Sequence, residues 1–491
     1  MLLLILFAPI VAAIAILFGA PARRTAIVAA TIELIGTGLL LSRFDKGAVG
    51  FQFVTAWTIN PDWGWRFALG IDGLSLIMLL LTAIVTFAAI WFTAEISRNE
   101  NAFYSCLLFI SAGAIGAFAS IDLFFFYAFH ELALIPTFLL IGIWGTGNRQ
   151  TAAWKITIYL AIGSFILLLG LILLYRSLPA ASRSFDFAVL QAAASAGQIS
   201  TSAQQNIYLV LLIGFGILIS LFPFHTWAPE AYASAPSPVA MLHAGVLKKF
   251  GLYGLLRLAI PLLPAGALYW NKLLIVLLLG NIIYVGLVTI AQKRLDWMLG
   301  YSSVMHMGYI FLGIASANIV GIYGAAILML AHGLSIALLF AITGELRRRT
   351  GTLVFEDLGG LAKVMPFAGF VFGLAAFAAI GLPGFANFAG EVLIFFGAFR
   401  RGANMLRFET FQVATTLALW GVVISAVYML RAYRAVFMGR MESKWSGLPD
   451  LRNSLRLPIT LLIVALLAVG FFPQSFVQIV TPPFRSFFAA K

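Results

Sequence analysis

Apolar runs of about 20 residues return again and again along this chain, the length an α-helix needs to cross the roughly 30 Å hydrocarbon core of a bilayer. Hydrophobic residues make up 62% of the 491 residues and charged residues 10%. Mean hydropathy is +1.01, far outside the range of a water-soluble domain. A spanning backbone must satisfy its own polar groups, so it forms helices or a closed barrel, and runs this long and continuous read as helices. The expected fold is all-α: a polytopic membrane protein of about 14 transmembrane helices. Their centres fall near Ala12, Gly36, Leu80, Ala112, Leu132, Phe165, Phe215, Val246, Gly280, Met307, Met329, Ala376, Val422 and Leu466.

The connections are mostly short, with two longer polar ones at 43–70 and 177–205, so residues 1–491 read as a single integral membrane domain. The first run lacks a basic segment ahead of it and is followed by Arg23 and Arg24, which reads as a retained helix rather than a signal peptide. The net charge of +13 sits in short connections and not in a basic patch interleaved with aromatics, which excludes nucleic acid as a partner and leaves the lipid bilayer. Basic residues, among them Arg347, Arg348 and Arg349, are more numerous after odd-numbered helices. By the positive-inside rule those connections are cytoplasmic and both termini periplasmic, as in a bacterial inner (plasma) membrane. The one cysteine, Cys106, excludes an internal disulfide and any multi-cysteine metal or iron–sulfur site.

Two helices are interrupted. The seventh ends in FPFHTWAPEAYASAPSP, whose four prolines cannot continue one helix, and the twelfth contains GLPGFAN at residues 381–387. They lie five helices apart, the spacing expected of two inverted five-helix repeats, helices four to eight (about 103–259) and nine to thirteen (about 272–438). Unrelated proline kinks would give the same sequence sign.

Ionisable side chains deep in a bilayer cost at least about 2.5 to 3.5 kcal/mol each, so each needs a reason. Glu131 lies too deep in the fifth run to snorkel, next to His130. Asp122, nearer the helix end, reads as an interfacial cap. Lys248 and Lys249 are adjacent and so point about 100° apart, with His243 one turn before them. A lysine lining a hydrated cavity can take up and release a proton; a pair snorkelling to an interface is the plainer reading. His306 and His332 fall near the middles of the tenth and eleventh helices, beside Ser302, Ser303 and Ser335. They read as a proton relay or as interhelical hydrogen-bond partners. Glu391 follows the GLPG break, near unpaired amides and water. None of these residues forms a nucleophile–base pair or a metal-ligand pattern, and Gly214 and Gly216 sit inside an apolar helix, not a nucleotide loop. The chemistry available is proton transfer.

FHELALIPTFLLIGIWG, FPFHTWAPEAYASAP, AMLHAGVLKKFGLYGLLR, YSSVMHMGYI, AHGLSIALLF and GLPGFANFAGE follow one another in that order. Together they resemble the antiporter-like membrane subunits of proton-translocating NADH:quinone oxidoreductase (complex I), and among them the subunit M, or chain 4, type. The resemblance implies a membrane translocase subunit in which Glu131, Lys249, His306, His332 and Glu391 occupy a hydrated axis along the membrane plane. It implies that quinone reduction elsewhere drives proton movement along that axis. It also implies that this chain holds no cofactor, with NADH, FMN, iron–sulfur clusters and quinone in partner subunits and L-like and N-like antiporter-type subunits beside it.

The sequence departs from that pattern at one place. Where such subunits have a seventh-helix lysine paired with the fifth-helix glutamate, this chain has Leu218. Three accounts are open: Lys248 or His130 supplies the missing charge, Glu131 is neutral, or the subunit is a non-pumping structural one. Subunits of multisubunit cation/proton antiporters, membrane hydrogenases and carbon-uptake dehydrogenase variants share the same core helices and stand as alternatives.

Overall fold

The computed structural model describes residues 1–96, 98–401 and 409–489. Among them, twelve helices are long and apolar enough to cross a membrane. Leu2–Leu17, Pro366–Ile380 and Ala386–Phe399 are shorter apolar helices. Each of the fourteen expected centres lies inside a helix.

Short polar caps set several helix starts. Asp72 accepts from Ser75 N at the head of Gly73–Phe92, and Asp122 accepts from Phe124 N and Phe125 N at the head of Leu123–Trp144. Asp122 is therefore the cap expected of it, taking up amides that a first helical turn leaves free. The two long connections carry structure of their own: 43–70 holds most of an antiparallel hairpin, Gln52–Asn60 with Trp65–Ile71, and 177–205 holds the short helix Phe187–Ser195. These connections meet on one face, where Leu69 bridges Ser120 and Asp122 bridges Asp186, while Arg294 bridges Val354 between two connections after odd-numbered helices.

Both interruptions are real breaks, each with a proline at the position whose amide would have closed the helix. Thr201–Ile219 stops before Pro223 and the chain re-enters a helix at Trp227–Ser234. Pro366–Ile380 and Ala386–Phe399 flank Gly381–Phe385, with Gly381 (φ +81°) and Gly384 (φ +92°) in the left-handed region that glycine tolerates. Backbone groups released in a membrane have no water to turn to. At the first break, fully buried Asn281 satisfies three of the neighbouring groups: its Oδ1 accepts from Phe222 N at 2.6 Å, and its Nδ2 donates to Ser220 O at 3.1 Å and Val304 O at 2.9 Å.

The span Ser237–Leu262 contains two π-helical segments, His243–Leu247 and Leu255–Ala259, the wide turns that recur at functional sites. It runs against Ile319–Thr350 at very short range: a β-carbon on Gly245 would lie 3.1 Å from the Gly333 carbonyl oxygen. Only paired glycines permit this approach, and it brings residue 249 to residue 332.

Replacing Asn281 with Leu removes the partners of these backbone groups at about 1 to 3 kcal/mol for each group left unmade. The expected outcome is a lower midpoint of thermal inactivation for the assembled complex in membranes, with Asn281→Gln less affected than Asn281→Leu.

Candidate functional site

Four of the six candidate residues converge. Lys249 is fully buried, and its Nζ lies 2.5 Å from Ala244 O, in the first π turn, and 3.0 Å from His332 Nδ1. A lysine ammonium only donates, so while Lys249 is charged a neutral His332 accepts at Nδ1 and carries its ring proton on Nε2. That Nε2 is buried without a partner, which leaves His332 one nitrogen toward the lysine and one free for the next group. The next ring is His306, with centroids 5.4 Å apart.

The twelfth-helix break holds His306. Ala379 O would accept from residue 383 in an unbroken helix, but residue 383 is Pro and has no N–H. His306 Nε2 takes that carbonyl at 2.9 Å, while Nδ1 faces Ser302 O at 2.8 Å. Carbonyls accept only, so both contacts are made together only by the doubly protonated ring, and the neutral ring keeps one. Beyond it, Tyr309 stands edge-on to His306 at 5.7 Å with its hydroxyl buried and unpartnered. Tyr428 OH pairs with Ser302 Oγ at 2.8 Å. Both tyrosines lie within electrostatic reach of Glu391. Glu391 is buried in the second turn of Ala386–Phe399, with its carboxyl against Gly381, where any β-carbon would collide with it.

Lys248 faces elsewhere, as the 100° offset requires. Its Nζ is 3.4 Å from Ser303 Oγ and 5.5 Å from the centre of the Tyr232 ring. Tyr232 OH in turn meets His243 Nδ1 at 3.3 Å. Tyr232 also lines a cavity of about 240 Å³ whose wall includes Pro236, Ser237 and Phe340 and whose mouth carries the Asp296–Arg347 ion pair. The cavity lies on the face of the connections that follow odd-numbered helices.

Glu131 stands apart from this group. Its side chain is 36% exposed and points sideways between Leu123–Trp144 and Arg149–Arg176. Ser164 Oγ donates to its Oε1, Tyr127 OH is 3.1 Å from Ser164 Oγ, and His130 Nδ1 is 3.8 Å from Glu131 Oε1. Leu218 packs against Gly163, next to Ser164, so it occupies the flank from which a seventh-helix lysine would reach the glutamate. Of the two substitutes considered, His130 is the one beside Glu131; the contacts of Lys248 are with Ser303 and Tyr232. Ser164, Tyr127, Tyr309, Tyr428 and Tyr232 escaped the sequence reading, because a lone Ser or Tyr in an apolar helix looks like any packed residue.

With this geometry in place, comparison with known proteins assigns the family. Residues 120–417 match the family described as NADH:quinone oxidoreductase/Mrp antiporter, TM. The chain belongs to this family. An NAD(P)H-quinone oxidoreductase chain 4 of Thermosynechococcus vestitus is 36% identical, covering 88% of this chain and 80% of that one. An NADH-quinone oxidoreductase subunit M of Rickettsia conorii is 34% identical over 92% and 90%. Among solved structures, a chain of respiratory complex I from Thermus thermophilus superposes with a TM-score of 0.90 at 29% identity, covering 100% of this chain and 99% of that one. The family match spans all six candidate residues and Leu218.

Gly381→Ala tests the packing of the Glu391 carboxyl on the break. It places a methyl group on the carboxyl and strains a left-handed backbone, and a severalfold fall in turnover is expected in a complex of unchanged subunit composition.

Proposed function

We propose that this chain is the proton-translocating subunit M of a complex I-type NADH:quinone oxidoreductase, with Lys249, His332, His306 and Glu391 as its proton-carrying groups. The observation that carries this reading is the contact of Lys249 Nζ with His332 Nδ1 at 3.0 Å, a donor and an acceptor enclosed between two helices that meet through glycine. A scaffold would be more stable with leucine at both places.

The cavity behind Asp296 and Arg347 takes protons from the cytoplasmic face toward Tyr232, His243 and Lys248. A proton arriving at Lys249 passes to His332 Nδ1 as the Nε2 proton leaves, so one imidazole hands a charge across its own width. His306 receives it with two carbonyls positioned for the doubly protonated ring, and Glu391, at the hinge of the broken helix, is the group through which it leaves. The two halves of this path belong to the inverted repeats 103–259 and 272–438.

Redox chemistry lies outside this chain: NADH, FMN, iron–sulfur clusters and quinone belong to partner subunits. A half-exposed carboxylate cannot face lipid at mid-depth, so the Glu131 face is covered by a neighbouring membrane subunit, of the L-like or N-like antiporter type. Leu218 removes the lysine between Glu131 and the Lys249 group, and His130 stands in its place at the glutamate. The complex lies in a bacterial inner membrane with both termini of this chain on the periplasmic side.

The test is Lys249→Ala in inverted membrane vesicles, with proton uptake and quinone reduction recorded on the same sample. Both are expected to fall severalfold in an intact complex; wild-type rates of both would refute the proposal and leave a structural subunit.

A further inference from the structure

A second carboxyl is enclosed far from this path. Glu33, midway along Ala22–Arg43, is fully buried. Ser111 Oγ, from Glu100–Ala119, donates to its Oε2 at 2.8 Å, and Thr86 Oγ1, from Gly73–Phe92, is 2.9 Å from Ser111 Oγ. Its other oxygen, Oε1, has no partner, and neither has Thr37 Oγ1, one turn further along the same face and equally buried. Three helices thus bring a carboxyl and two linked hydroxyls together inside the apolar bundle, with a third hydroxyl one turn along the Glu33 helix.

Among the described residues no cation is paired with Glu33. Leu2–Leu17, which crosses the same helix closely at Gly36, and Gly73–Phe92 contain no titratable side chain. Glu100–Ala119 contributes only Glu100, Tyr104 and Cys106, none of them hydrogen-bonded to Glu33. On its own helix, Arg23 and Arg24 are at the start and Arg43 at the end. A bare carboxylate so enclosed costs far more than one hydroxyl returns, and such a group takes a proton instead. The oxygens also fall short of a metal site. All three helices are continuous here, so their carbonyls are engaged, and two carboxyl oxygens with three hydroxyls are fewer than the six or more oxygens a hard cation such as Ca²⁺ collects.

We propose that Glu33, with Thr37, Ser111 and Thr86, is a second proton-binding site within the membrane, separate from the Lys249–His332–His306 group. The carboxyl carries an exchangeable proton at neutral pH. The acid O–H sits on Oε1, the oxygen that no donor in the structure reaches, and Ser111 Oγ donates to Oε2. One helix separates the two sites: a β-carbon on Gly245, which follows the Ala244 that holds Lys249, would lie 3.6 Å from Val85, next to Thr86. The family match spans residues 120–417, so this site lies ahead of it in the chain.

The test is infrared difference spectroscopy of the whole purified complex at neutral pH, wild type minus Glu33→Gln, in H₂O and D₂O. The expected result is one band in the C=O region of protonated carboxylic acids, shifted downward in D₂O. No such band, or a band only in the carboxylate region, overturns the proposal. Ser111→Ala supplies an independent arm should Glu33→Gln fail to assemble. The wild type minus Ser111→Ala spectrum is expected to show the same band displaced to higher frequency by loss of one hydrogen bond, and an undisplaced band overturns the proposal.

Discussion

Inside a bilayer a carbonyl that loses its helical partner must find another, because no water stands by to take it. That constraint organises this molecule. Pro383 frees Ala379 O and His306 takes it; the π turn at His243–Leu247 presents Ala244 O and Lys249 takes it; the break near Pro223 is sealed by Asn281. Two of the three groups that satisfy these positions are proton carriers in the proposed path. The irregular backbone and the ionisable side chains therefore hold one another in place. An unbroken helix would leave His306 without its Ala379 acceptor, and an apolar residue at 249 would take from Ala244 O the side-chain donor it has.

Much of this was legible in the sequence, for reasons that differ from residue to residue. Spans were visible because a bilayer sets a length threshold, and the breaks because proline lacks an amide and glycine admits positive φ. Lys249, His306, His332 and Glu391 stood out because ionisable groups are costly in apolar runs. What the sequence withheld was direction around the helix axis. Glu131 could be placed only along its helix, yet it faces sideways, and Lys248 was a candidate counter-ion for it until the contacts placed it beside Ser303 and Tyr232. Depth follows from counting along a helix, whereas azimuth depends on which neighbour packs where. Register on the eighth helix was further hidden by its two π segments, which shift every later side chain relative to an ideal 3.6-residue turn.

Polar residues of ordinary kind were harder still. Tyr309, Tyr428 and Ser164 each look like filler in an apolar sequence, and only their positions against His306, Ser302 and Glu131 give them meaning. The hairpin within the 43–70 connection was likewise read only as a polar loop; its strands, with side chains alternating across a surface, carry little of the pattern that marks a membrane helix.

The contact between His306 and Ala379 O has a mechanical side. While Nε2 carries a proton, ring and carbonyl attract; when that nitrogen is bare, two lone pairs face each other at the same place and repel. The carbonyl belongs to the last turn of Pro366–Ile380, directly before the glycine hinge that lets the two half-helices pivot. In the proposed path, loss of a single proton at that nitrogen would therefore push on a lever, and the broken helix would couple the charge of one ring to the position of the Glu391 segment beyond it.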